Sequence, residues 1–178
     1  MIKLLGTAMI VLGSGSAGFG FARAVRAQLR QLNALLAALE AREDTEYLAI
    51  HDGARPLILP EQVDEMIRLG QRTYAVAPAL PVTDTVKVAD LSGLVLSTPD
   101  RSTLFAVQTP QVFQASILKA ALQSAIDAEA PITDDCSAVE RLGKEVYLTP
   151  GWRENIKITT PEDLAIAEAF LRRREVNQ

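Results

Sequence analysis

A chain of 178 residues, 48% hydrophobic and 22% charged, has the composition of one folded domain, or one domain with an appendage, and not of a disordered chain. A net charge of −4 and a pI near 5.1 leave no basic face for neutralising many phosphates, which excludes general nucleic-acid binding but not a small phosphate-bearing ligand. The single cysteine, Cys136, excludes an internal disulfide and fits a reducing, cytoplasmic compartment; a small packed residue is its expected role.

Composition divides the chain near residue 40. Residues 4–22 carry no charge and hold the five glycines found between Gly6 and Gly20. As a helix this run would just span a bilayer core of about 30 Å. Lys3 precedes it and Arg23, Arg26 and Arg30 follow it, a bias that keeps the rest of the chain on the cytoplasmic side. The leading expectation is therefore an apolar helix with membrane contact through residues 4–22. Two alternatives stay open: a phosphate-cradling loop at GSGSAG (13–18) after a strand over 9–12, and a buried helix. Val25, Leu29, Leu32, Leu36 and Leu39 then fall on one helical stripe. We thus expect an N-terminal region, 1–40, and a second domain, 41–178.

From residue 46 strands and helices alternate, which predicts an α/β fold. Residues 47–50 read as a buried strand. Residues 59–70 read as a helix with Pro60 at its start and Gly70 as its stop. Strands are expected over 73–77, 104–108, 145–148 and 155–159, and a hairpin over 82–98 around Asp90-Leu-Ser-Gly93. Helices are expected over 115–128, from a cap at Thr133 or Asp134 to Gly143, and from Pro161 onward.

The chemistry-bearing residues cluster at strand ends. His51-Asp-Gly-Ala-Arg-Pro56 places a carboxylate, a glycine and a guanidinium beyond a strand, where α/β sheets bind ligands, and suggests an anionic, metal-bound ligand. His51 itself reads as structural. Lys157, between Ile156 and Ile158, is an amine alternating with apolar residues and should face a polar or anionic site. Asp134 and Asp135 read as helix-capping residues rather than metal ligands, and Thr85 and Lys87 as ordinary hairpin residues.

Taken in order and spacing, HDGARP (51–56), PVTDTVK (81–87), DR with QTPQ (100–111), TDD (133–135) and NIKITTPEDL (155–164) resemble the 2-C-methyl-D-erythritol 4-phosphate cytidylyltransferase family over residues 45–172. Arg30, Gln31, Asn33, Ala34 and Leu35 echo the family's helix before the first motif. The resemblance implies a Rossmann-like nucleotidyltransferase sheet, incomplete at its N-terminal side, with a projecting β-hairpin arm. It implies a homodimer, CTP and 2-C-methyl-D-erythritol 4-phosphate as substrates, Mg2+ as cofactor and pyrophosphate as a product, in non-mevalonate isoprenoid biosynthesis. Lys157, Arg55 and Asp52 would be catalytic, with Asp52 also at the metal. Gly53 and Ala54 would approach the ribose. Thr85 and Arg101 would hold the acceptor's phosphate in the neighbouring subunit's site, and Thr109 would contact the acceptor. The family's arginine-bearing Gly-rich loop and Lys-Gln pair are not found in residues 1–40. Those residues are similar instead to the start of stage III sporulation protein AB, which implies an alternative: a membrane-anchored or fused protein that uses the half-domain for dimerisation or phosphate-ligand binding.

Overall fold

The computed structural model describes residues 7–12 and 45–176. Its larger sheet runs β1-β2-β7-β3-β6, and β8 pairs with the other side of β3. Here β1 is Thr7–Leu12, β2 Tyr47–Asp52, β3 Ala75–Pro81, β6 Phe105–Val107, β7 Gln111–Gln114 and β8 Tyr147–Pro150. The β1–β2 and β3–β8 pairs are parallel, while β7 runs antiparallel to both β2 and β3. Among the described residues four α-helices accompany the sheet: α1 (Pro60–Thr73), α2 (Ala115–Asp127), α3 (Asp135–Arg141) and α4 (Pro161–Val176).

Alternation along the central strands explains why the sheet is covered on both faces. Leu48 and Ile50, Ala75 and Ala77, and Phe113 join Leu118, Ala121, Leu122, Ala138 and Val139 from α2 and α3 in one core. The intervening Ala49, Val76 and Val112 point the other way and pack with Met66 of α1 and with Trp152. A strand buried on both sides reads as an unbroken apolar run, as residues 48–50 and 75–77 do.

Gly70 is not the stop expected of it. Helix α1 continues to Thr73 and ends at Tyr74, which takes a left-handed conformation (φ 65°) and donates its N–H to the Gly70 carbonyl at 2.8 Å. Gly70 is buried, and a Cβ there would collide with the Val112 side chain on β7. The glycine is required by helix-to-sheet approach. Gly70→Ala should therefore destabilise the protein, because overpacking costs about 1–3 kcal/mol against the roughly 1 kcal/mol that alanine gains in an open helix. Urea unfolding checks this; a stabilised variant would refute the close approach.

Two further expectations change. The helix expected through residues 4–22 is overturned over Thr7–Leu12, which pairs in register as a parallel strand beside β2, from Thr7 opposite Tyr47 to Leu12 opposite Asp52. A short apolar run serves a buried strand as well as a helix, and sequence periodicity cannot separate them. Among the described residues no helix is long and apolar enough to cross a membrane. The rest of that run and the apolar stripe from Val25 to Leu39 lie outside the described residues. The strand expected over 155–159 does not form; this segment spends its hydrogen bonds on neighbouring loops, as described below. Strand β7 was not anticipated, because four residues with glutamine at both ends show too little pattern.

The hairpin is present as an arm, with β4 (Val88–Ala89) and β5 (Val95–Ser97) joined through a turn in which Asp90 Oδ1 accepts from Ser92 N and Leu94 N. Gly93 takes the positive φ (89°) this turn needs. Its apolar side chains are exposed, including Val88, Leu91, Leu94, Val95 and Leu96.

Candidate active site

Strand β2 ends at Asp52, and the chain turns at once, with Arg55 N donating to the Asp52 carbonyl at 3.0 Å. This turn brings the Arg55 and Asp52 side chains to the same edge. Asp52 Oδ2 lies 3.0 Å from Lys157 Nζ and 3.6 Å from Arg55 Nε. The Arg55 side chain is 12% exposed and that of Lys157 41%, so the trio is open on the lysine side. Burial lowers the pKa of the Arg55 guanidinium, and the Asp52 carboxylate raises it part of the way back.

Lys157 reaches Asp52 because its loop is tied down. Gln108 is nearly buried and takes the place of a strand partner: its Nε2 donates to the carbonyls of Trp152 (2.9 Å) and Asn155 (3.2 Å), and its Oε1 accepts from Trp152 N (3.0 Å). Ile158 N donates to the Ala54 carbonyl at 2.8 Å. Farther out, Glu154 pairs with Arg173 and Arg174 of α4, and Arg174 Nη2 also donates to the Leu57 carbonyl. Helix α4 thus holds the Arg55 loop and the Lys157 loop together.

Thr109, expected as a substrate contact, sits between β6 and β7 and closes a second network. Its Oγ1 accepts from Asp52 N at 3.0 Å and lies 3.0 Å from His51 Nδ1. His51 Nε2 is 2.9 Å from the Arg55 carbonyl. A carbonyl only accepts, so Nε2 carries a proton; in the neutral imidazole Nδ1 then accepts from the Thr109 hydroxyl. His51 is structural, as the sequence suggested, and it spends the Thr109 proton on holding the turn.

The acidic motif lies close enough to act on this site electrostatically. Asp134 is the N-cap of α3, accepting from Ser137 N at 2.9 Å, and its Oδ2 accepts from Gln111 Nε2 at 2.8 Å. Capping is the role expected of it. Asp135 follows in the first helical turn, and its carboxyl is pushed up to about 7 by desolvation first and then by the charges of Asp134 and Asp52. Because the folded state holds this proton more tightly than the unfolded chain, Asp135 costs nothing below about pH 4. Its cost grows as pH rises from about 4 to about 7, where the unfolded chain ionises first. Asp135→Asn should stabilise the protein by on the order of 2–4 kcal/mol at pH 8 and by little at pH 4. Urea unfolding at the two pH values measures this, and equal differences would refute it.

Among the described residues no group of three or more His, Cys, Asp or Glu side chains converges as a metal site. Both cations meet Asp52 through Oδ2, leaving Oδ1 without a protein partner among the described residues. One carboxylate oxygen suits a hard divalent cation that arrives with phosphate and water ligands, not one caged by protein.

Five sequence motifs thus supply one edge of one sheet and an arm beside it, and comparison with known proteins gives that arrangement a family. A sequence model described as 2-C-methyl-D-erythritol 4-phosphate cytidylyltransferase matches residues 26–173. The chain belongs to this family. The cytidylyltransferase of Desulforamulus reducens is 50% identical over 131 residues, covering 74% of this chain and 56% of the relative. That of Nocardia farcinica is 45% identical over 155 residues, 85% of this chain and 65% of the relative. Among solved structures, the 4-diphosphocytidyl-2C-methyl-D-erythritol synthase of Anaerococcus prevotii superposes with a TM-score of 0.72 at 32% identity, covering 80% of this chain and 66% of that one. The cytidylyltransferase of Thermus thermophilus gives 0.69 at 29% identity, covering 92% and 81%. The chain spans little more than half the length of the first two curated relatives, 56% and 58%.

The cytidylyltransferase family match reaches back to residue 26, ahead of the residue-45 start of the sequence resemblance, and so includes the Arg30–Leu35 echo. Within the matched region the expected residues fall into two groups. Asp52, Gly53, Ala54, Arg55, Thr109 and Lys157 come together. Thr85 and Arg101 do not join them: both are exposed in or beside the arm, and Arg101 Nη1 donates to the Thr83 carbonyl at 2.9 Å. Lys87 Nζ donates to Thr98 Oγ1 across the hairpin, an ordinary hairpin role. Gln108, Gln111 and Asn155 lie inside the quoted motifs, yet sequence reasoning assigned them no role in holding the site; each is a buried amide, and burial is their one distinguishing signal.

Proposed function

We propose that this chain transfers CMP from CTP to 2-C-methyl-D-erythritol 4-phosphate and releases pyrophosphate. The observation that carries the reading is the Asp52–Arg55–Lys157 cluster at the sheet edge, inside the region matched by the family. Two anionic reactants must be brought together here, and a half-exposed ammonium beside a largely covered guanidinium offsets their repulsion. A phosphate oxygen of the acceptor forms the new bond to the α-phosphorus of CTP. The bond from that phosphorus to the α–β bridging oxygen breaks, and its electron pair leaves with pyrophosphate. No protein nucleophile is needed.

Lys157 and Arg55 bind and orient the phosphates, and Gly53 and Ala54 offer backbone to the ribose. Mg2+, held by the nucleotide's phosphates and by Asp52 Oδ1, would add charge neutralisation on the pyrophosphate side. With its proton given to His51 and one lone pair taken by Asp52 N, Thr109 has a lone pair left for a hydroxyl of the acceptor. The exposed apolar residues of the arm fit burial against a second copy, which would place Thr85 and Arg101 at the partner's acceptor phosphate. The enzyme would work in the cytoplasm. The membrane-anchored alternative loses its continuous helix to strand β1.

Incubation with CTP, 2-C-methyl-D-erythritol 4-phosphate and Mg2+ should yield pyrophosphate and a diphosphocytidyl product in equal amounts. No pyrophosphate above a protein-free control at millimolar substrates would overturn the reading.

A further inference from the structure

Three separate stretches supply the site: residues 51–55 at the end of β2, residues 108–109 before β7, and residues 152–158 after β8. Asn155 touches all three. Its main-chain carbonyl accepts from Arg55 Nη1 at 2.8 Å and from Gln108 Nε2 at 3.2 Å, and its side-chain Nδ2 donates to the Thr109 carbonyl at 2.7 Å. Since that carbonyl can only accept, the contact fixes which end of the amide is nitrogen. Oδ1 is then buried without a hydrogen-bond partner among the described residues, on a residue 1% exposed. Arg55 Nε, on the other side of the Arg55–Asn155 hydrogen bond, is buried too and has no hydrogen bond, only its 3.6 Å ion pair with Asp52.

An orphaned buried acceptor costs about 1–3 kcal/mol, so stability alone gives no reason for an amide with one idle end at this place. What the amide does supply is a donor aimed at Thr109, on the same residue whose carbonyl anchors Arg55 and two positions before Lys157. We propose that Asn155 is a positioning residue that locks Thr109 and Arg55 in register with Lys157. For its kinetic consequence the inference rests on the cytidylyltransferase reading; for its structural consequence it does not.

The test has two arms on the full chain. In the first, amide hydrogen exchange is compared between the wild type and Asn155→Ala. The amides of Asp52 and Ile158 join the segments, donating to Thr109 Oγ1 and to the Ala54 carbonyl, and should exchange at least about tenfold faster in the variant. The core-strand amides of Ala49 and Val112 should not change. In the second, kcat should fall by about 10- to 100-fold, with KM for CTP within about threefold, at a temperature where both proteins are folded. Unchanged exchange at Asp52 and Ile158 overturns the proposal whatever the activity. Faster exchange with unchanged kcat overturns it as well, leaving a structural tie. An inactive wild type refutes the enzymatic reading instead, and the exchange arm then decides the proposal alone. Should Asn155→Ala fail to fold, Asn155→Leu, which is close to asparagine in size but has no donor for the Thr109 carbonyl, carries the same two measurements.

Discussion

Lys157→Ala is expected to lower kcat for CMP transfer by about 100- to 1000-fold, the usual loss when one donor to transition-state charge is removed. Lys157 is 3.0 Å from Asp52 and its side chain is 41% exposed, so it can reach a ligand phosphate without leaving a hole in the core when removed. The loop that carries it is held by Gln108, by Ile158 N and by Glu154, none of which involves the lysine side chain. The variant should therefore melt within about 2 °C of the wild type, as a surface substitution does. Steady-state rates with both substrates and Mg2+ check the first statement, and thermal unfolding checks the second. A kcat within about threefold of the wild type would remove Lys157 from the chemistry.

Phe113→Ala is expected to cost about 3–5 kcal/mol, a large part of the roughly 5–15 kcal/mol that a domain has to lose. Phe113 is fully buried in the middle strand, opposite Leu48 on β2 and Ala75 on β3, with α2 and α3 packed over it. Removing the ring leaves a cavity that two paired strands cannot close. The damage would reach the site, because Gln111, two residues away, holds Asp134 and the Cys136 N–H at the start of α3. Urea unfolding of the variant should show the midpoint lowered with the slope kept. A loss under about 1.5 kcal/mol would mean that the core collapses around the gap more freely than its packing suggests.

The parts of this protein that were readable in advance are those whose cause is local. Pro60 opens α1, Asp134 caps α3 through Ser137 N, and the Thr159–Thr160 amides close on Asp163 before α4 as a helix start should. The apolar runs at 48–50 and 75–77 marked strands buried on two faces. Three of the five motifs supply the residues that meet at the sheet edge, and Lys157 faces the Asp52 carboxylate there although its strand does not exist. What sequence pattern misjudged depends on partners distant in the chain. Gly70 looks like a helix stop until Val112 is seen against it, and residues 155–159 look like a strand until their hydrogen bonds are found on Ala54, Arg55 and Gln108.

The residues from 4 to 22 show the same limit most sharply. Their hydrophobicity is real, but hydrophobicity alone is compatible with a membrane helix and with a strand buried beside β2. Pairing of Thr7–Leu12 with Tyr47–Asp52 made that part a strand, since a strand's unpaired N–H and C=O groups need a neighbour that no local pattern names. By itself, then, the sequence determined the α/β class, the family and the motifs that carry Asp52, Arg55, Thr109 and Lys157. Tertiary structure alone decided that Asp52 would be shared between two cations, that His51 Nδ1 would meet the Thr109 hydroxyl, and that Asn155 would join the three loops. Those are contacts between residues up to about a hundred positions apart, and only the folded sheet brings them within hydrogen-bonding range.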